Sequence, residues 1–370
     1  MKRLLVLLSV FILLLSVQVL AVDSPTDILE KQKIGFGIDD AEQAIPEEAY
    51  ALWGEVSVEQ AMQPQNLLDQ LWDDLILNTG SILRDAIENV TGILMLCFLI
   101  AFLRATPMLS THQKTFELIG AMAIALLGAA QTSACIPTGS RVTASLTTFS
   151  ARVLPAMCAA ATASGAVTSA GIKYTIASIA LDLFGSCSAQ LLMPLLYAYT
   201  AVLITAHVFQ NELLLTLLSG MKRVLTLLMI TAAVLFTTFL TLTGILNGSV
   251  DAAAAKAAKT AISAALPVVG GILSDAAETL VSGASILCAG VGILGLLCVL
   301  AVCLTPYLSL GIHFLLYQLA AGICSTFSEK RISGLLKGFG DVYGMMLGIV
   351  GTVSLIVFAS IIALMRSTGG

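Results

Sequence analysis

Charge is what this sequence has least of. Asp, Glu, Lys and Arg make up 11% of its 370 residues, where an ordinary soluble domain carries about 25%. That leaves too little polar side chain to cover a water-soluble globule of this size. No basic stripe exists, and 23 acids outnumber 18 bases, so the footprint of a nucleic-acid binder is missing. There is no GxxxxGKS or GxxxxGKT phosphate loop, and no GxGxxG between a strand and a helix. No Ser/His/Asp set or carboxylate pair points to catalysis, so neither an enzyme nor a cofactor is expected. CxxC pairs are absent as well. Cys97, Cys135, Cys158, Cys187, Cys288, Cys298, Cys303 and Cys324 all lie in apolar or small-residue stretches, as small buried hydrophobes do.

What is present is apolar. Hydrophobic residues make up 58% of the chain, which predicts an all-α polytopic membrane protein in contact with the lipid bilayer. The charge is also uneven. Residues 22–90 hold 15 of the 23 acids, with only Lys31, Lys33 and Arg84 as bases. Ahead of them, Lys2 and Arg3 precede the apolar run Leu4–Val17 and the small-residue end Val19-Leu20-Ala21. This is the pattern of a secretory signal peptide over 1–21, with an uncleaved anchor helix as the alternative. Either way residues 22–88 are expected outside the cytoplasm. They begin loosely, with a short helix near 47–61. From Gln65 the spacing of Leu67, Leu68, Leu71, Trp72, Leu75, Ile76, Ile82, Leu83 and Ile87 predicts an amphipathic helix, broken once at Gly80.

Two small-residue stretches stand out among the apolar segments, around Leu154-Pro155 and Leu266-Pro267. An offset of 112 residues brings Pro155 onto Pro267 and Pro194 onto Pro306. A tandem repeat of about four helices each is therefore expected. The organisation becomes a signal peptide (1–21), an acidic extracytoplasmic segment (22–88), two transmembrane helices (89–137), and membrane repeats at 138–247 and 248–370. Lys222-Arg223 and Lys330-Arg331-Lys337 read as cytoplasmic loops. Four crossings between those loops keep both on one side, whereas re-entrant Leu-Pro stretches invert the repeats.

Proline removes a backbone donor and breaks or kinks a helix. In lipid the freed carbonyl needs a neighbouring helix or a water-filled cavity. Pro155, Pro267, Gly165, Gly171, Gly270 and Gly271 are thus candidates for a pathway or gate, with tight packing of kinked helices as the alternative. Pro194 and Pro306 are candidate kinks. Asp182 lies within the apolar run Ile176–Phe184, and an ionisable group there can bind a cation, relay a proton, or pair with Lys173 or Arg152. A position near the interface would remove that significance. Glu278 makes a weaker case of the same kind. Lys256 and Lys259 are expected to snorkel, with a polar pore lining as the alternative. His207 and His313 lack metal-ligand spacing and read as structural. Tyr197, Tyr199, Tyr307 and Tyr317 read as interface or packing residues.

The layout resembles the stage III sporulation protein AE family of endospore-forming bacteria. The resemblance is carried by the N-terminal segment, the acidic stretch with Leu67 to Ile87, Phe149-Ser-Ala-Arg-Val-Leu-Pro155, and Lys330-Arg331-Ile-Ser-Gly334. It implies a multi-pass protein of the mother-cell membrane around the forespore, part of the mother-cell-to-forespore channel complex. The implied partners are other stage III A-group membrane proteins, a cytoplasmic secretion-type ATPase, and stage II protein Q. It brings no catalytic residues. A stand-alone secondary transporter or permease using Asp182 and the Leu-Pro helices is the alternative.

Overall fold

The computed structural model describes residues 25–105, 113–265, 270–327 and 330–368. Its side-chain description leaves out 25–29, 104–105, 113–114, 116–117, 239–265, 270–278 and 327. The expected signal peptide, Pro267, and the side chains of Lys256, Lys259 and Glu278 lie outside the described residues, as do the surroundings of Gly270 and Gly271. Four short helices open the fold: α1 (Pro25–Gly35), α2 (Ile38–Gln43), α3 (Glu47–Trp53) and α4 (Val58–Ala61). Long helices follow: α5 (Gln65–Ala105), α6 (Gln113–Ala163), α7 (Val167–Cys187), a π turn (Ser188–Leu192), α8 (Met193–Phe209), α9 (Glu212–Ala265), α10 (Gly270–Phe327) and α11 (Lys330–Thr368). No strand occurs among the described residues.

Among the described residues, six helical stretches are long and apolar enough to cross a membrane: Gln65–Leu103, Leu118–Ala163, Val167–Phe209, Glu212–Thr238, Thr279–Thr326 and Lys330–Thr368. The chain is a multi-pass membrane protein. The longest stretch has 48 residues, which at 1.5 Å per residue is about 72 Å, well over the ~30 Å hydrocarbon core. Helices of this length continue beyond the bilayer. Among the described residues the two basic segments are joined by α9 and α10, where four crossings were expected.

The helices run through most of the points where the sequence predicts breaks. Pro137 and Pro155 lie inside α6, and Pro306 lies inside α10. Gly80 leaves α5 unbroken. A helix within a bundle tolerates proline because neighbouring groups satisfy what the ring displaces. The boundaries expected at 137 and 247 therefore fall within continuous helices. The break after Pro155 comes at Gly165, whose φ of +102° suits glycine. The short helix expected near 47–61 divides into α3 and α4 at Gly54, with φ +71°. Pro194 does distort its helix, because the π turn Ser188–Leu192 precedes it directly. Its offset counterpart Pro306 has no such turn, so the two halves differ at the point where the offset aligns them best.

The core lies where α6, α10 and α11 meet. One stripe of α11 is buried, including Leu335, Phe339, Val342, Met346, Ile349, Val353 and Ile356. Their three- and four-residue spacing keeps them on one helical face. Glycine permits the closest approaches. A β-carbon at Gly128 would lie 2.3 Å from the Phe339 ring, and one at Gly338 would lie 2.0 Å from a Leu203 methyl. α5 buries a narrower line, Leu67, Leu71, Ala86, Val90, Ile93, Cys97 and Ile100. Its other sides expose Trp72, Ile76, Leu77, Leu83 and Ile87. α1, α3 and α4 pack against α10, where Gln32 Nε2 donates to the Leu280 carbonyl at 3.0 Å, and α2 packs against α6.

Candidate functional site

The most developed polar site lies inside the bundle at Asp341, the single acid of α11. Its side chain is 14% exposed, and one carboxylate oxygen is 2.7 Å from Lys222 Nζ on α9. The other oxygen accepts from Gln318 Nε2 of α10 at 3.3 Å. Three helices thus supply one ion pair and one hydrogen bond. Partial removal from water makes such a pair costly to break from one side.

The sequence places these groups by helical spacing. Lys222, Thr226, Met229, Ile230 and Ala233 follow one face of α9. Asp341, Gly344, Met345, Gly348 and Thr352 follow one face of α11. With Phe314 they line a cleft of about 440 Å³. Apart from Thr226 and Thr352 the cleft is apolar, with the ion pair at one end, and glycines at 344 and 348 leave the room. While the pair holds, Lys222 and Asp341 cancel each other and the cleft has little net charge. An anion reaching Lys222, which is 44% exposed, would compete directly with Asp341.

An aromatic cluster stands beside the pair. Tyr343 stacks on His313 with ring centres 5.0 Å apart, and on Tyr317 at 5.5 Å. Tyr317 meets Phe339 edge-on at 6.2 Å and donates its hydroxyl hydrogen to Gln131 of α6. These contacts join α6, α10 and α11. His313 Nδ1 lies 2.8 Å from the Ser309 carbonyl, and His207 Nδ1 lies 3.0 Å from the Leu203 carbonyl. Both histidines are satisfied within their own helices, in accord with a structural role. Tyr199 and Tyr317 are buried, whereas Tyr197 and Tyr307 are exposed. The four tyrosines therefore divide between packing and surface.

Those pathway residues whose surroundings are described are not gathered around this cleft. Pro155 and Asp182 are exposed on the outside of the bundle. A β-carbon at Gly171 would meet nothing within 4 Å. Gly165 ends α6. Pro306 lines a separate cleft of about 350 Å³ with Glu48, Asp74, Thr138 and Arg141. Lys173 is buried, and its Nζ donates to the Ala363 carbonyl at 3.1 Å. No Lys173–Asp182 ion pair occurs among the described residues. Sequence reasoning passed over Asp341 because it follows the basic segment 330–337. The available signal was its being the single acid of a long apolar helix, with bases near the starts of α9 and α11.

No curated protein and no solved structure matches the chain. The family model of stage III sporulation protein AE matches residues 53–368. Those residues run from the last residue of α3 to the last residue of α11. The match thus takes in all the long helices, the Asp341 cleft and the aromatic cluster, and the chain belongs to the stage III sporulation protein AE family.

Proposed function

We propose that this sporulation membrane protein is an integral subunit of the mother-cell-to-forespore channel complex and contributes to its membrane core. The observation that carries the proposal is a family match spanning every long helix, on a bundle whose centre is filled. Phe339, Tyr317, Met346 and Leu203 occupy the space between α6, α8, α10 and α11. A conduit would therefore lie between chains. The protein needs no catalysis of its own in this role, since a separate cytoplasmic ATPase would supply the work. Stage II protein Q and other stage III A-group proteins are its proposed partners.

Charge supports one orientation in the mother-cell membrane around the forespore. Alternating crossings put the starts of α6, α9 and α11 on one side. Lys114, Lys222, Arg223, Lys330, Arg331 and Lys337 lie at or near those starts, so that side is cytoplasmic. Residues 22–88 then face the space between the two membranes, where acidic helices are available for docking.

The test is affinity capture of the tagged full-length protein from sporulating cells, combined with a late forespore reporter in cells lacking the protein. Co-capture of the ATPase and stage II protein Q, with loss of the reporter, is the expected result. Capture of the protein alone, together with solute uptake by vesicles containing only this chain, would replace the subunit with a transporter.

A further inference from the structure

Asp182 remains unexplained by the packing of a single chain. It is the single acid of the 43-residue stretch Val167–Phe209. It lies exposed between Ile179, 60% exposed, and Leu183, 70% exposed. Arg152 is exposed on the adjacent helix α6. Neither side chain has a hydrogen-bond or ion-pair partner among the described residues. A charge on an apolar helix face at membrane depth is costly unless another group meets it.

The two charges lie at nearly the same height. A β-carbon at Gly185 would contact Thr147 at 3.4 Å, which fixes the register of α7 against α6. The helices are antiparallel. Arg152 is five residues beyond Thr147, and Asp182 is three residues before Gly185. At 1.5 Å per residue their heights differ by about 3 Å. The surface between them holds Ala144, Thr148 and Ala151, all exposed and small, so another helix can approach closely.

We infer that this α6–α7 face is the contact between two copies of the chain, with Asp182 of each copy meeting Arg152 of the other. A two-fold axis along the membrane normal brings equal heights together and makes the surface self-complementary. One acid and one base at one height match that symmetry without further residues. A different partner would have to supply its own opposed acid and base at the same spacing. The inference concerns the chain itself and stands whether or not it works within a channel complex.

Charge reversal in two separately tagged full-length copies tests it, with the oligomeric state read in lipid nanodiscs. Asp182→Arg alone places four positive charges at the contact, and Arg152→Asp alone places four negative ones. Each is expected to weaken self-association about tenfold or more. Co-expression of the two single variants should restore association, because every contact between unlike copies then pairs an acid with a base. An ion pair within one chain cannot be rescued in this way. Should a reversal fail to fold, Asp182→Asn and Arg152→Gln serve instead, with association still expected to fall. A wild-type chain that stays monomeric in lipid, or reversals without effect on self-association, would overturn the inference. So would absence of rescue on mixing, or loss of a different membrane protein in place of the second copy.

Discussion

Asp341 and Asp182 are each the single acid of a long apolar helical stretch, yet the fold treats them oppositely. Asp341 is turned inward to Lys222 and Gln318 at 2.7 and 3.3 Å. Asp182 is turned outward, beside Leu183, without a partner among the described residues. Residue type and local hydropathy are similar at both positions, so neither determines the outcome. Helical phase does. Asp341 stands beside the buried stripe of α11 and reaches Lys222 on α9, while Asp182 lies on the exposed face of α7. An inward acid joins helices within the chain, and an outward one is free to join chains.

The strongest test of that contrast removes the inward charge. Asp341→Leu leaves Lys222 without its counter-ion and Gln318 without its acceptor. A one-sided break of a buried pair costs ~3–5 kcal/mol. Because Lys222 is 44% exposed, about 2–3 kcal/mol is expected, measured as a lowered thermal midpoint in detergent. Adding Lys222→Met should recover most of the loss, since an apolar pair of similar volume suits the cleft. No recovery in the double variant would mean that the carboxylate acts through something other than Lys222.

Packing around the inward acid gives the next largest effect. Gly338 is one turn from Asp341, and a β-carbon there would come within 2.0 Å of Leu203. Gly338→Val should cost about 2 kcal/mol through overpacking and should loosen α8 from α11. Faster amide exchange in both helices would show it. Gln318→Leu removes one hydrogen bond from Asp341 and is expected to cost about 1 kcal/mol, read by the same thermal midpoint. A silent Gln318→Leu would leave Lys222 as the whole support of Asp341.

How much of this was readable beforehand follows from the same distinction. The apolar runs gave away the helices and the membrane, because chain composition alone sets that requirement. The satisfied histidines and six of the eight cysteines, which are buried, were legible for a similar reason, while Cys158 and Cys187 are half-buried. Helix continuity through Pro137, Pro155 and Pro306 was not, since proline's local penalty is offset by contacts from helices distant in sequence. Nor was the environment of Asp341, because Lys222 is more than a hundred residues away. The offset of 112 residues aligned Pro194 with Pro306, but a π turn formed at only one of them. Sequence recorded the shared residue and not the different packing.

A third acid–base group, outside the membrane-spanning helices, provides a control for the comparison, through its outer acid Glu59, which is 67% exposed. Lys33 Nζ lies 2.9 Å from Glu42 and 3.5 Å from Glu59. Burial pushes the Glu59 carboxyl up, but hydrogen bonds from its own backbone and Ser57, with the Lys33 charge, outweigh it and hold it below its ordinary 4.5. A lowered folded-state value means that the unfolded chain takes up protons first as pH falls. The contribution is therefore present above pH 4.5 and is lost on acidification through the lower folded value. Amide exchange in α4 should rise below pH 4.5 while exchange in α11 stays unchanged. Added salt should reduce the effect, since exposed pairs are screened.

The smallest expected effect is also the most discriminating. Asp182→Asn keeps the size of the side chain, and no contact among the described residues depends on its charge. The thermal midpoint of the monomer should therefore correspond to a change within about 0.5 kcal/mol, as for an exposed substitution. The same variant should weaken association between copies in lipid, because Arg152 of the second copy loses its counter-charge. Dilution in nanodiscs separates the two readouts, since only association depends on protein concentration. A large loss of monomer stability would place Asp182 in the same class as Asp341, as an internal tie. An unchanged monomer with weaker association would set the two acids apart: one fastens the bundle, and the other fastens bundles to each other.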